Sequence, residues 1–149
     1  EHNKKFKIIF DALQNKEMKQ GIFFEEQVFD AYKFTCDLVK KAKKEIVLID
    51  NYIDESVLTL FSKRKKGIKV KIFIKKISKQ LELDVKKFNS QFEQIEICKF
   101  INSHDRFLII DCKDIYHFGA SLKDLGKKWF AFSKFEKGAV NMLKKLNNN

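Results

Sequence analysis

The stretch Ser103-His104-Asp105-Arg106-Phe107-Leu108-Ile109-Ile110-Asp111 combines a run that folds with a pair that does chemistry. Arg106 to Ile110 reads as a strand, because an apolar run of this length bounded by polar residues fits a buried extended segment. In an extended chain alternate side chains share a face, so His104 and Arg106 are expected side by side. Such a pair suits a phosphodiester. The imidazole can attack phosphorus or accept a hydrogen bond, and the guanidinium can hold two phosphate oxygens. Asp111, at the strand end, is expected to orient or brace the site rather than to attack.

Working outward, Ile115 to Phe118 reads as the next strand, reached through Lys113-Asp114. At its end comes Gly119-Ala120-Ser121. A residue without a side chain lets an anion approach the backbone, and the Ser121 hydroxyl can donate to it. Lys123, Lys127 and Lys128 follow in a loop to Lys128 and are expected at the rim of the same site, facing a nucleic-acid backbone. The remaining lysine runs read as solvated faces. Asp50, Asn51 and Tyr52 follow a buried strand. Polar residues at the carboxyl end of a strand are where open α/β sheets bind ligands. Helix capping by Asp54 and a turn at Asn51 explain the same residues equally well. His117 reads as structural rather than as a flank of the site, and Trp129 and the many phenylalanines as core rather than as base-stacking platforms.

The rest of the chain alternates helix and strand. Residues 1–20, with Phe6, Ile9, Phe10 and Leu13 at helical spacing, are expected to form a helical arm or linker from a missing N-terminal domain. Gly21 is expected to interrupt that pattern. The domain itself is expected over residues 21–147: a short strand at Ile22-Phe23-Phe24, a helix from about Glu26 to Lys44, and a buried strand from Glu45 to Asp50. A helix over 54–65 follows, then an alternating strand from Ile68 to Ile74, a helix over 78–91 and a strand from Ile95 to Phe100. A strand from Trp129 to Phe135 and a closing helix with Val140, Leu143 and Leu146 complete it, before a frayed Asn-rich tail. This order points to an α/β domain with a mixed sheet flanked by helices.

Composition narrows the partners. The chain has 149 residues, 44% of them hydrophobic, with 16 Phe, which is one domain with an aromatic core. Thirty-one Lys and Arg against 20 Asp and Glu leave a formal charge of +11, which points to a polyanion. No apolar run approaches the ~18 residues of a membrane span. The three cysteines lack the paired spacing of a disulfide framework or a zinc site and read as ordinary buried thiols. With no initiator Met and no signal peptide, the expectation is a fragment of a longer cytoplasmic protein.

The spacing His104-x-Arg106-x4-Asp111, with Gly119 after the next strand, resembles the phospholipase D-like superfamily over roughly residues 21–147. That family carries His-x-Lys-x4-Asp followed by a Gly-Ser-x-Asn-like segment. The resemblance implies an α/β/α sandwich and a metal-independent phosphodiesterase without cofactor. In it His104, Arg106 and Asp111 form the motif, and Gly119, Ser121, Lys123, Asn51 and Tyr52 border the phosphate. A single motif implies a homodimer, in which one His104 forms a phosphohistidine and the other protonates the leaving oxygen. The run from His104 through Ser121 to Lys134 also looks like a bacterial group in which this domain follows a phage antirepressor-type DNA-binding domain. The family's later acidic partner of the His has no plain match, with Asp124 and Glu136 as candidates, and two further positions depart from the pattern. Arg106 stands for the motif Lys, and Leu122 stands near the place of the Asn. These departures keep two readings open: a nuclease acting on nucleic acid, DNA rather than RNA, or an inactive module that binds DNA or phosphate and dimerises a regulatory protein.

Overall fold

Ile46-Val47-Leu48-Ile49 lies in the interior of the sheet because both of its faces are covered, which is why its apolar run is unbroken. In the computed structural model, which describes residues 18–148, the strands are β1 (Gln20–Phe23), β2 (Glu45–Ile49), β3 (Lys69–Ile74), β4 (Ile95–Lys99), β5 (Arg106–Ile110), β6 (Asp114–Phe118) and β7 (Phe130–Phe135). The helices are α1 (Val28–Lys41), α2 (Glu55–Phe61), α3 (Lys79–Gln91) and α4 (Ala139–Asn147), with a single 3-10 turn at Leu122–Asp124. The sheet runs β1-β7-β6-β5-β2-β3-β4. β2, β3 and β4 are parallel, each joined to the next by a helix, while β5, β6, β7 and β1 are antiparallel to their neighbours. The mixed sheet expected from the order of elements is therefore present.

Alternation decides the layers. Ile46 and Leu48 face a large core with Phe34 and Leu38 of α1, Phe61 of α2 and Phe88 of α3. Val47 and Ile49 face the other way, onto Ala139, Met142, Leu143 and Leu146, a stripe along α4 spaced one helical turn at a time. The result is an uneven α/β/α sandwich, with three helices on one face and one on the other.

Two expectations need correction at the ends. Gln20 and Gly21 belong to β1, so no helix extends to residue 20; residues 1–17 of the expected arm lie outside the described residues. Gly21 is accommodated because a Cβ there would stand 2.8 Å from the Phe132 ring, so its bare backbone lets that ring approach. At the other end α4 continues through Asn147, and the Asn148 N–H donates to the Lys144 carbonyl at 3.0 Å, so the Asn-rich tail begins as ordered helix. The thiols also differ from expectation: Cys36 is buried, but Cys98 is half-buried and Cys112 exposed.

The β5–β6 hairpin explains Asp111. Asp111 and Cys112 both have positive φ (57° and 59°), and the Lys113 N–H donates to the Ile110 carbonyl at 3.1 Å. Positive φ at both central residues marks the turn whose twist matches its strands. Turned outward there, the Asp111 carboxylate accepts from the N–H groups of Lys43 (3.0 Å), Lys44 (2.6 Å) and Glu45 (3.2 Å). Partial burial opposes its ionisation, but the three backbone donors outweigh it and hold the carboxyl below its ordinary range. A carboxyl depressed in the folded state adds stability above its unfolded pKa of about 3.9, and that stability is lost as pH falls through the folded value. Asp111→Ala is expected to cost about 1–3 kcal/mol at neutral pH. The gap from wild type should narrow as pH falls below the unfolded value of about 3.9, as read by urea denaturation at neutral and acid pH.

Candidate phosphate and nucleic-acid site

One edge of the sheet collects most of the polar residues singled out above. Ile49 pairs with Phe107, Arg106 with Phe118, and Phe118 with Phe132. The end of β2, the start of β5, the end of β6 and the start of β7 therefore meet along that edge. Asp50 and Tyr52 leave β2 there, Arg106 opens β5, Gly119 to Lys123 leave β6, and Trp129 leads into β7.

Asp50 organises this edge from beneath. It is 0% exposed, and its Oδ2 accepts from the Ser121 hydroxyl at 2.9 Å and the Leu122 N–H at 2.8 Å. Its Oδ1 accepts from the Tyr52 N–H at 3.0 Å. Burial pushes the carboxyl up from its ordinary value, and these donors together with the Arg106 charge only partly offset it. Asp50 thus fastens the turn after β6 to the end of β2. Asp54 caps α2 as well, accepting from the Ser56 N–H at 3.0 Å, so the ligand-edge and capping explanations of this segment fall to different residues.

Arg106 is half-buried. Its Nε donates to the Phe118 carbonyl at 3.3 Å, and among the described residues this is the guanidinium's only hydrogen bond, leaving its two terminal nitrogens for an anion. Arg106 and Gly119 line a cleft of about 580 Å3, together with Lys123, Lys127 and Lys128. Tyr52 and Trp129 line it too, and Asp124 is its one carboxylate among the described residues. The lysine loop and Arg106 thus border the same cleft. Gly126 holds the loop close: at φ +81°, a Cβ there would stand 2.5 Å from the Val28 Cα, so the loop backbone rests directly on the start of α1. Gly119 is similarly tight, with a Cβ placed 3.2 Å from the Ala131 carbonyl oxygen.

Several residues stand elsewhere than expected. His104 is exposed in the loop before β5, so strand alternation does not govern it. It is not among the residues lining the cleft, and its ring makes no hydrogen bond among the described residues. Asn51 donates from Nδ2 to the Ser103 carbonyl at 3.0 Å and accepts the Lys75 N–H at 2.9 Å, so its amide pins the loop carrying His104. Ser121 is 6% exposed, and its hydroxyl proton is committed to Asp50. Asp111 sits at the opposite end of β5 from Arg106, roughly 17 Å away at strand rise, and does not join the cluster. Glu136 follows β7 at that same far end and pairs with Lys19 at 2.5 Å, so it does not support His104. His117 points to the α4 face, beside Phe107 and Phe135, with Nε2 3.3 Å from the Asp105 carboxylate.

Trp129 overturns the expectation that it belongs to the core. It is 67% exposed; its indole N–H donates to Glu25, and its ring meets Phe24 edge to face at 4.9 Å between centroids. The core aromatics are its neighbours Phe130 and Phe132. The sequence signal was present in Lys127-Lys128-Trp129, an aromatic placed immediately after two cations.

No protein-family model matches the chain, and no curated protein matches it. Solved structures do. A phospholipase D family member, Nuc from Salmonella typhimurium, matches with a TM-score of 0.63 at 15% identity, over 87% of this chain and 91% of that one. The chain has a phospholipase D-like fold. NucT from Helicobacter pylori shares this phospholipase D-like fold with a TM-score of 0.59 at 14% identity, covering 87% and 92% of the two chains. TrmBL2, an archaeal chromatin protein described as showing a novel mode of DNA binding, matches at 0.57 and 14% identity over 99% of this chain and 58% of its own. At such identities the likeness is one of fold. It agrees with the sandwich that the family resemblance implies.

Proposed function

We propose that this phospholipase D-like domain holds nucleic acid by its phosphates in the cleft between Arg106 and the Lys123–Lys128 loop. The observation that carries this reading is the convergence of four cations, Arg106, Lys123, Lys127 and Lys128, on one cleft lined by a single carboxylate among the described residues. Low-dielectric walls focus such a field, and a polyanion that enters it releases its own counterions. The net charge of +11 adds a steering field of the same sign. The DNA binding in the description of TrmBL2 supports a nucleic-acid partner, and we propose DNA rather than RNA.

A second reading, hydrolysis, has its own observation. The His104 ring is exposed and makes no hydrogen bond among the described residues, two residues before Arg106, on a loop that Asn51 fixes at both ends of its amide. In this reading the chain is a homodimer in which two variant motifs face each other. One His104 attacks phosphorus and releases the leaving oxygen, which the second His104 protonates; water then cleaves the phosphohistidine. Arg106 binds the non-bridging oxygens, and Asp111 acts on the fold rather than on the phosphate. The chain then serves as the phosphate-handling part of a bacterial cytoplasmic regulatory protein, following a phage antirepressor-type DNA-binding domain.

Binding is tested by titrating a labelled oligonucleotide with the full chain across a range of salt. The affinity should fall steeply with salt, and Arg106→Gln and Lys123→Ala should each flatten the log–log slope by about 1. Absence of binding at low salt, or slopes unchanged in both variants, would refute the assignment.

A further inference from the structure

Phosphate contacts alone do not account for the aromatic side of this cleft. Trp129 and Tyr52 are 67% and 61% exposed, although both line the same cavity as the cations. Leaving so much aromatic surface in water forgoes the burial that places most indoles largely inside a domain. Trp129 is nevertheless held in place. Its N–H is bonded to Glu25 and its ring to Phe24, and an edge-to-face contact covers at most one face of an indole. An oriented, partly uncovered aromatic beside a row of cations is the pairing that single-stranded nucleic acid requires: backbone charge for the cations and open base faces for the ring. A cleft of about 580 Å3 is also of the scale that encloses a small-molecule-sized group, roughly one or two nucleotides. In a duplex those base faces are stacked on one another and closed to a side chain.

We propose that Trp129 is a stacking platform for an unpaired base, with Tyr52 as a second aromatic in the same cleft. The chain then prefers single-stranded over double-stranded nucleic acid. This rests on the cleft being a nucleic-acid site and names the form of nucleic acid it takes.

Trp129 is the sole tryptophan, so the site reports on itself. A mixed-sequence single-stranded oligonucleotide should quench the intrinsic fluorescence of the full chain, and a duplex of the same sequence should quench it much less. Trp129→Ala should weaken single-strand binding about ten-fold, as loss of one stacked base does, and change duplex binding less than about two-fold. Trp129→Phe keeps an aromatic face and should recover most of the loss; circular dichroism melting of both variants checks that they fold. Single-strand binding without quenching, or equal loss for both forms in Trp129→Ala, would overturn this inference while leaving the nucleic-acid site standing. Binding of neither form would overturn both.

Discussion

Cleavage of bis-p-nitrophenyl phosphate or DNA by the full chain in EDTA is expected to fall by about a thousand-fold or more in His104→Ala. Under the hydrolytic reading the imidazole is both nucleophile and, on the second copy, general acid. One substitution then removes two roles at once from a shared site. The variant is structurally mild, because His104 is exposed and its ring supports no hydrogen bond among the described residues. A loss of activity with an unchanged melting curve therefore reports chemistry rather than folding. Light scattering should show a dimer at the concentrations where cleavage occurs. A strictly monomeric chain that still cleaved would contradict the shared site. A wild-type chain that binds DNA but cleaves at no pH would leave binding as the activity.

Asp50→Ala is expected to have the largest effect on the fold. Asp50 accepts from Ser121, Leu122 and Tyr52 in a fully enclosed position. Truncation leaves buried donors unpaired, a loss of about 3 kcal/mol, or roughly 6–12 °C in Tm for a chain of this size. Nucleic-acid affinity should fall with it, because the turn carrying Lys123 is tied down by that carboxylate. Asp50→Asn separates charge from shape. A carboxyl raised by burial contributes most to stability below its unfolded pKa, and that contribution fades as pH rises through the folded value. The Asn variant should lose less stability than Ala, and its disadvantage relative to wild type should shrink as pH rises. A melting curve for Asp50→Ala within about 1 °C of wild type would rule out the anchoring role.

Most element positions were legible because periodicity carried them. β5 begins and ends where the run Arg106 to Ile110 does, and the continuous apolar stretch of β2 announced an interior strand. The lysine loop was legible from its place after Gly119. What the sequence hid depends on contacts between distant segments. Nothing near Asp50 names Ser121 as its partner, since 71 residues separate them. Asp111 sits at the motif position expected to brace the site, yet its carboxylate is spent on the backbone of residues 43–45 at the other end of the strand. The motif spacing alone could not separate a residue that touches phosphate from one that shapes a hairpin. Trp129 was misread because aromatic residues beside strands are usually buried, and here the boundary fell one residue later, putting the indole in the loop.

The pairing of β1 with β7 also bears on how the chain assembles. Gln20 lies opposite Ser133, so β1 leaves the ribosome more than a hundred residues before its partner has been made. Until then the nascent β1 can only wait, and β7, once made, presents an open rim to any neighbouring chain. Among the described strands this pairing closes the widest sequence separation in the sheet, and it is expected to form late. Slow translation of the segment between β1 and β7 would lengthen the interval in which half-finished copies can pair with each other.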